Sequence, residues 1–214
     1  MPALLHGIRV LDFGRYIAGP YCAALLAEYG ADVIRIEKRD GSEDRFPTPV
    51  GGGAGALFLQ MNRNKRSMTL DPASPEGRKV VERMVKRADV VIANLPQATL
   101  NSMGLDYATL CSYKPDVIFV TNTAFGAVGP MHRNVGFDSV AQAMCGSVYM
   151  TGEPEQPYRA TAPWVDFGTA LHCAFGTMAA LMERQKTGKG QMVTGALLAT
   201  ALTVNNAALI EQAL

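Results

Sequence analysis

Asp166 is the acidic residue whose surroundings could do chemistry. It lies in Thr161-Ala162-Pro163-Trp164-Val165-Asp166-Phe167-Gly168-Thr169-Ala170, among apolar neighbours, with Pro163 before it and Gly168 after it. A small-residue apolar run continues through Leu171, Phe175, Met178, Ala179 and Met182 and reads as a helix to about Arg184. Asp166 is therefore expected at or just before a helix N-terminus. A carboxylate there caps free backbone N–H groups and is favoured by the helix dipole. A carboxylate in an apolar pocket can instead serve as a nucleophile or base. Local sequence leaves both roles open.

The second set of reactive side chains is cationic. Lys38, Arg39, Lys65 and Arg66 could together hold a polyphosphate, a guanidinium through paired hydrogen bonds and an ammonium as a point charge. Each taken alone reads rather as a solvated surface cation. The ready-made motifs fail. Gly14-Arg15-Tyr16-Ile17-Ala18-Gly19 departs from the dinucleotide fingerprint, and Gly19 is followed by Pro20 where a P-loop needs Lys. No G-x-S-x-G elbow is present. His6, His132 and His172 have no metal-ligand spacing, so no metal site is expected. Cys22, Cys111, Cys145 and Cys173 are scattered, and read as buried reduced thiols.

The elements that must position these groups alternate along the chain. Strands are expected over residues 8–13, 33–37, 68–70, 89–94, 116–121 and 191–194. Helices are expected over 18–29, with Pro20 in its first turn and Gly30 ending it, and over 75–87, with Ser74 as cap and Pro75 first. Further helices are expected over 96–103, 106–113, 138–149 and 197–214. Residues 38–55, with Gly51-Gly52-Gly53, read as a mobile loop near a ligand, and 126–136 and 151–161 as loops. Such alternation predicts an open α/β sheet with right-handed crossovers, whose ligands lie at the carboxyl ends of the strands.

The 214 residues allow one large domain or two small ones, and 48% hydrophobic with 18% charged residues implies a large buried core. A net charge of +1 gives no reason to expect nucleic acid or an anionic membrane as partner. No apolar run is expected to span a membrane and no signal peptide is evident, so the expected location is cytoplasmic.

Leu11-Asp12-Phe13-Gly14 with Ala18-Gly19-Pro20, then residues 30–37, resembles the opening of the class III CoA-transferases, the CaiB/BaiF family. Asn64-Lys65-Arg66-Ser67, Pro75-Glu76-Gly77, Ala88-Asp89-Val90, Asn94-Leu95, Met103-Gly104-Leu105, Lys114-Pro115, Thr151-Gly152 and residues 186–191 follow in the family's order. The resemblance runs from about Leu5 to the end of the sequence and implies a CoA-binding, catalytic large domain over 1–214, with a mostly parallel Rossmann-like sheet.

By this resemblance Asp166 is the nucleophile, which carries CoA as an aspartyl thioester between an acyl-CoA and a carboxylic acid. No permanently bound cofactor is implied, since coenzyme A enters as substrate. Contacts to it carry over to Ile17, Ala18, Lys38, Arg66, Leu70, Asp71, Pro72, Ala73, Asn94, Leu95, Pro96, Ser102, Met103, Val135, Gly136, Phe137 and Asp138. Lys38 and Arg66 would meet phosphates, and Leu70, Leu95 and Met103 would line the adenine side. Ile17 and Ser102 stand where some members have glutamine and arginine. Racemases of the family pair the aspartate with a histidine in Gly-His-Asp, and Gly136-Phe137-Asp138 lacks that second base. Family members are usually longer, with a small second domain and interlocked chains. The expectation is thus a fragment, truncated product or split subunit lacking the small domain. It would associate as a homodimer or with a complementary second chain; a non-catalytic CoA-binding subunit is the alternative.

Overall fold

The computed structural model describes residues 3–47 and 50–214. In chain order the elements are β1 (Arg9–Asp12), α1 (Ala18–Glu28), β2 (Asp32–Glu37), a hairpin of β3 (Val50–Gly51) and β4 (Ala54–Gly55), α2 (Ala56–Met61), β5 (Arg66–Thr69), α3 (Pro75–Val85) and β6 (Val90–Ile92). There follow α4 (Gln97–Met103), α5 (Tyr107–Tyr113), β7 (Ile118–Thr123), α6 (Asp138–Met144), a hairpin of β8 (Gly152–Glu153) and β9 (Gln156–Pro157), α7 (Trp164–Thr187), β10 (Met192–Ala196), α8 (Leu197–Val204) and α9 (Asn206–Ala213).

Six strands form one sheet in the order β10-β7-β6-β1-β2-β5, every neighbouring pair parallel. The fold is the expected open α/β sheet flanked by helices. Strand alternation assigns the two faces. Val10, Val33, Val90, Ile92, Ile118 and Val120 pack on one face with residues of α1 and α7. Leu11, Ile36, Val91 and Phe119 pack on the other with residues of α3, α4 and α5. Buried on both sides, β6 reads as an uninterrupted apolar strand.

Local chemistry ends the helices where the sequence marks it. Ser74 Oγ accepts the Gly77 N–H at 3.0 Å and Asp106 Oδ1 accepts the Thr109 N–H at 3.0 Å. Ser74→Ala is expected to destabilise the domain by about 1 kcal/mol, read as a lower urea midpoint at unchanged slope. An unchanged midpoint would show that this cap contributes nothing.

Three expectations are corrected. The Gly51-Gly52-Gly53 run is a hairpin turn, with Gly52 and Gly53 at φ +59° and +82°, conformations that glycine adopts without strain. Residues 48 and 49 of that connection lie outside the described residues. The helix α2 follows that hairpin, over residues to which the sequence assigned no element. The last helix is two, α8 and α9, joined at Asn205. Finally α7, at 24 residues, is by length and composition apolar enough to cross a membrane. It instead buries Val165, Thr169, Ala170, Cys173, Ala174, Thr177, Ala180 and Leu181.

Candidate active site

The position of Asp166 follows from the direction of α7. At its far end Arg184 bonds Asp89 at 2.8 Å and reaches Asp116 at 3.6 Å, the residues that lead into β6 and β7. The helix therefore runs antiparallel to the strands, and its first turn lies at their carboxyl edge. Asp166 is the third residue of α7, not its cap. Pro163 at the cap position offers no side-chain acceptor. The free N–H groups of Val165 and Asp166 are taken by Asp138 Oδ2 from α6, at 2.8 and 3.0 Å. Asp138 thus performs the capping that the sequence reading offered to Asp166.

The Asp166 side chain makes no hydrogen bond among the described residues. Burial, and secondarily the Asp138 charge, push its carboxyl up to about 7. Ala18 packs with Ala141, Val165 and Leu197 beside it. The Tyr21 ring meets Phe167 edge to face at 4.8 Å. The result is a half-buried carboxyl in an apolar setting, with no hydrogen bond of its own, held at the backbone.

The loop after β1 is fixed by a charged network beneath it. Arg15 N–H donates to Asn94 Oδ1 at 2.6 Å and Asn94 Nδ2 donates to the Arg15 carbonyl at 2.9 Å. Arg35, fully buried, donates to the Gly14 carbonyl and to Asp44 Oδ2, the latter at 2.6 Å. Asp44 Oδ2 also accepts the Tyr16 N–H at 3.2 Å. Gly14 has no room for a side chain: a Cβ would stand 2.8 Å from Pro20 Cδ and 2.9 Å from Asp12 Oδ1. Tyr16 is held at φ +61°, a conformation uncommon for a residue with a side chain, and its ring stands edge-on to Phe137 at 5.4 Å.

The structure therefore brings Ile17, Ala18, Phe137, Asp138 and Asp166 to one place. Gly136 and exposed Val135 precede them, Gly136 close against Ala124 at the end of β7. A second group lies on the opposite face of the sheet, where Leu70, Leu95 and Met103 pack around the same apolar cluster. Asp71, Ala73, Pro96 and Ser102 are exposed there, and Pro72 is buried. Lys38 follows β2 at the carboxyl edge, 65% exposed, and pairs with Glu43 at 3.2 Å.

Two expected ligand contacts are placed differently. Arg66 opens β5 at the amino edge and bonds Asp32 through Nε and Nη2, both at 2.8 Å, away from the other residues. The Asn94 amide is spent on the Arg15 backbone. Lys65, expected as an available cation, is buried with Nζ on Asp12 at 2.8 Å, the Pro20 carbonyl at 2.7 Å and Asn62 at 2.9 Å. Conversely, Arg78 was missed. Its guanidinium donates to the Ser102 carbonyl, which sets a cation beside the end of α4. Gln142 was missed too, although its spacing of four from Asp138 signals a helical pair. A cavity of about 490 Å³ between α3, β1 and β2 contains none of these residues. Among the described residues no cluster of three His, Cys, Asp or Glu could hold a metal.

A half-buried carboxyl thus stands at the carboxyl edge of the sheet, with the Lys38 cation and an apolar patch also at that edge. The chain belongs to CoA-transferase family III, whose model matches residues 5–214. It is similar to the succinate–glutarate CoA-transferase of Agrobacterium fabrum, at 37% identity over 91% of this chain and 51% of the relative. It is also 37% identical to the succinyl-CoA–L-malate CoA-transferase beta subunit of Chloroflexus aurantiacus, over 90% of this chain and 49% of the relative. A CAIB/BAIF family protein from Brucella suis superimposes with a TM-score of 0.93 at 36% identity, over 100% of this chain and 58% of that one. The chain spans about half the length of the curated relatives it matches.

Proposed function

We propose that this chain is the CoA-binding, nucleophile-bearing part of an enzyme that moves CoA from an acyl-CoA to a small dicarboxylic acid. The observation that carries the reading is Asp166, a carboxyl without a hydrogen bond of its own in the first turn of α7. A carboxylate with raised proton affinity and no hydrogen bond is a strong nucleophile once ionised. The relatives' names support a dicarboxylic acyl donor and acceptor.

The step sequence balances with no further reagent. An Asp166 carboxylate oxygen attacks the thioester carbonyl, the C–S bond breaks, and CoA leaves as a thiolate with a mixed anhydride behind it. The thiolate attacks the Asp166 carbonyl carbon and releases the donor acid, leaving the aspartyl thioester. The acceptor carboxylate then attacks that carbon and displaces the thiolate. The thiolate returns to the acceptor's acyl carbon, which frees Asp166. Ile17, Ala18 and Phe137 keep the reacting atoms in apolar surroundings. Leu70, Leu95 and Met103 receive the adenine end, with Lys38 and Arg78 for the phosphates. A ligand reaching both groups crosses the carboxyl edge of the sheet, which suits the length of CoA.

Exposed Leu171, Phe175 and Met182 form a stripe on α7, which we assign to contact with a second copy or a complementary chain. Arg78→Ala is expected to raise KM for acyl-CoA roughly tenfold with little change in kcat, and to weaken the salt dependence of KM. An unchanged KM would remove Arg78 from the phosphate site. The reading itself is tested by incubating the intact enzyme with succinyl-CoA and hydroxylamine. An aspartyl hydroxamate at Asp166, found by peptide mass spectrometry, supports it. Turnover without label at Asp166 sinks it.

A further inference from the structure

We propose that Asp138 is the positioning residue for Asp166, fixing its backbone and setting a second carboxyl charge against it. The inference rests on reading Asp166 as the nucleophile. Asp138 is 5% exposed and both of its oxygens are engaged within the protein. Oδ2 accepts the Val165 and Asp166 N–H groups at 2.8 and 3.0 Å. Oδ1 accepts from Gln142 Nε2, and Gln142 Oε1 in turn accepts the Ala160 N–H at 2.8 Å. Gln142 is itself fully buried, so the carboxylate is held from behind. This arrangement leaves Asp138 poorly placed to grip CoA and well placed to aim α7.

Among the described residues, Asp138 is the one charge that raises the proton affinity of Asp166. The elements packed against α7 are α1, β7, β10, α8 and α6. Of these, β7, β10 and α8 carry no charged residue, and α1 carries only Glu28, at its opposite end. On α7 itself His172 bonds Thr200 at 3.2 Å, and Glu183, Arg184 and Lys186 lie at the other end. Among the described residues, no other charged side chain of these elements therefore stands beside Asp166. After burial, the neighbouring Asp138 charge raises the proton affinity of Asp166. Asp138 receives two N–H donors and lies at the positive end of the helix dipole. Asp166, with neither hydrogen bond, takes up the proton first. The functional gain is a nucleophile whose basicity, raised first by burial, is raised further by its own cap, without a dedicated base.

The test compares the intact wild-type enzyme with Asp138→Asn. Two readouts are followed from pH 5 to 9: the carbon-13 carboxyl resonance of Asp166, assigned by its loss in Asp166→Asn, and the rate of adduct formation with succinyl-CoA. Asparagine keeps an acceptor for the N–H groups and removes the charge. Both midpoints are expected to fall by about one pH unit, raising the relative rate below the midpoint by up to about tenfold. Unchanged midpoints in the folded variant overturn the proposal and leave Asp166 as nucleophile. No adduct at any pH in the wild type sinks the nucleophile reading, while the resonance titration still decides whether the two carboxyls are coupled. If Asp138→Asn does not fold, Gln142→Leu releases Oδ1 but leaves the charge. A lower plateau rate at a retained or higher midpoint then supports positioning, and unchanged values of both overturn it.

Discussion

Asp166→Asn is expected to lower CoA transfer by about 10⁴-fold or more while the protein folds normally. The amide matches the carboxyl in shape but cannot open a thioester. Asp166→Ala, which cannot revert by deamidation, should do the same. In the wild type the nucleophile works only when ionised. With its proton affinity raised to about 7, kcat/KM should climb as pH rises through that value and level off above it. A profile flat between pH 5.5 and 8.5 (a range about 1.5 units either side of the midpoint) would overturn this account, as would turnover retained in both variants.

The same group makes a stability statement of opposite sign. A carboxyl raised in the fold favours the neutral form, so its contribution is fully present below the unfolded value near 3.8 and is lost as pH rises through about 7. Asp166→Asn should therefore match the wild type near pH 4 and be more stable at pH 8. Partial exposure and the dipole of α7 limit the gain to about 1–2 kcal/mol. Denaturant midpoints at the two pH values check it, and a variant less stable than wild type at pH 8 would contradict it.

Lys65→Met is expected to destabilise the domain by about 3–5 kcal/mol, lowering Tm by roughly 10 °C. Both members of the pair are almost fully buried, Lys65 at 1% and Asp12 at 0% side-chain exposure. Without the ammonium, Asp12 loses a 2.8 Å partner and retains the Gly14 N–H at 2.8 Å, with Arg35 as its cation at 3.6 Å. The lost stabilisation comes mostly from a stranded charge. Burial opposes ionisation of Asp12, yet Lys65, Arg35 and the hydrogen bonds hold its carboxyl below the usual range. Its contribution is therefore present above the unfolded value near 3.8 and is lost as pH falls through the lower folded value. A Tm within about 2 °C of wild type would show that the pair is dispensable.

The strands and caps were legible because their signals are local. Ser74 and Asp106 bond residues three positions away, and Val90-Val91-Ile92 is apolar without a break because both its faces are covered. The site was legible only through resemblance. Lys65 and Arg66 are adjacent cations with the same sequence signature. One is buried on Asp12 and the other is exposed on Asp32, a difference set by elements far away in the chain. Asp138 as the cap of α7 joins two helices, and no pattern in either helix reports it. The break at Asn205 carries neither Gly nor Pro, so periodicity passes through it unmarked.

The packing of α7 on α1 has a consequence for how the protein comes into being. These helices come from the early and late parts of the chain, and between them they close one face of the sheet. Until residues 164–187 have been synthesised, Cys22, Ala23, Leu26 and Ala27 of α1 have no α7 to lie against. Joining such distant segments is slow, because long loops must be closed before their contacts stabilise anything. The carboxyl edge between Ala18 and Asp166 should therefore be among the last regions to acquire protection from hydrogen exchange during refolding. Before that moment the nascent chain presents an open apolar surface, the condition under which chaperone dependence and aggregation arise.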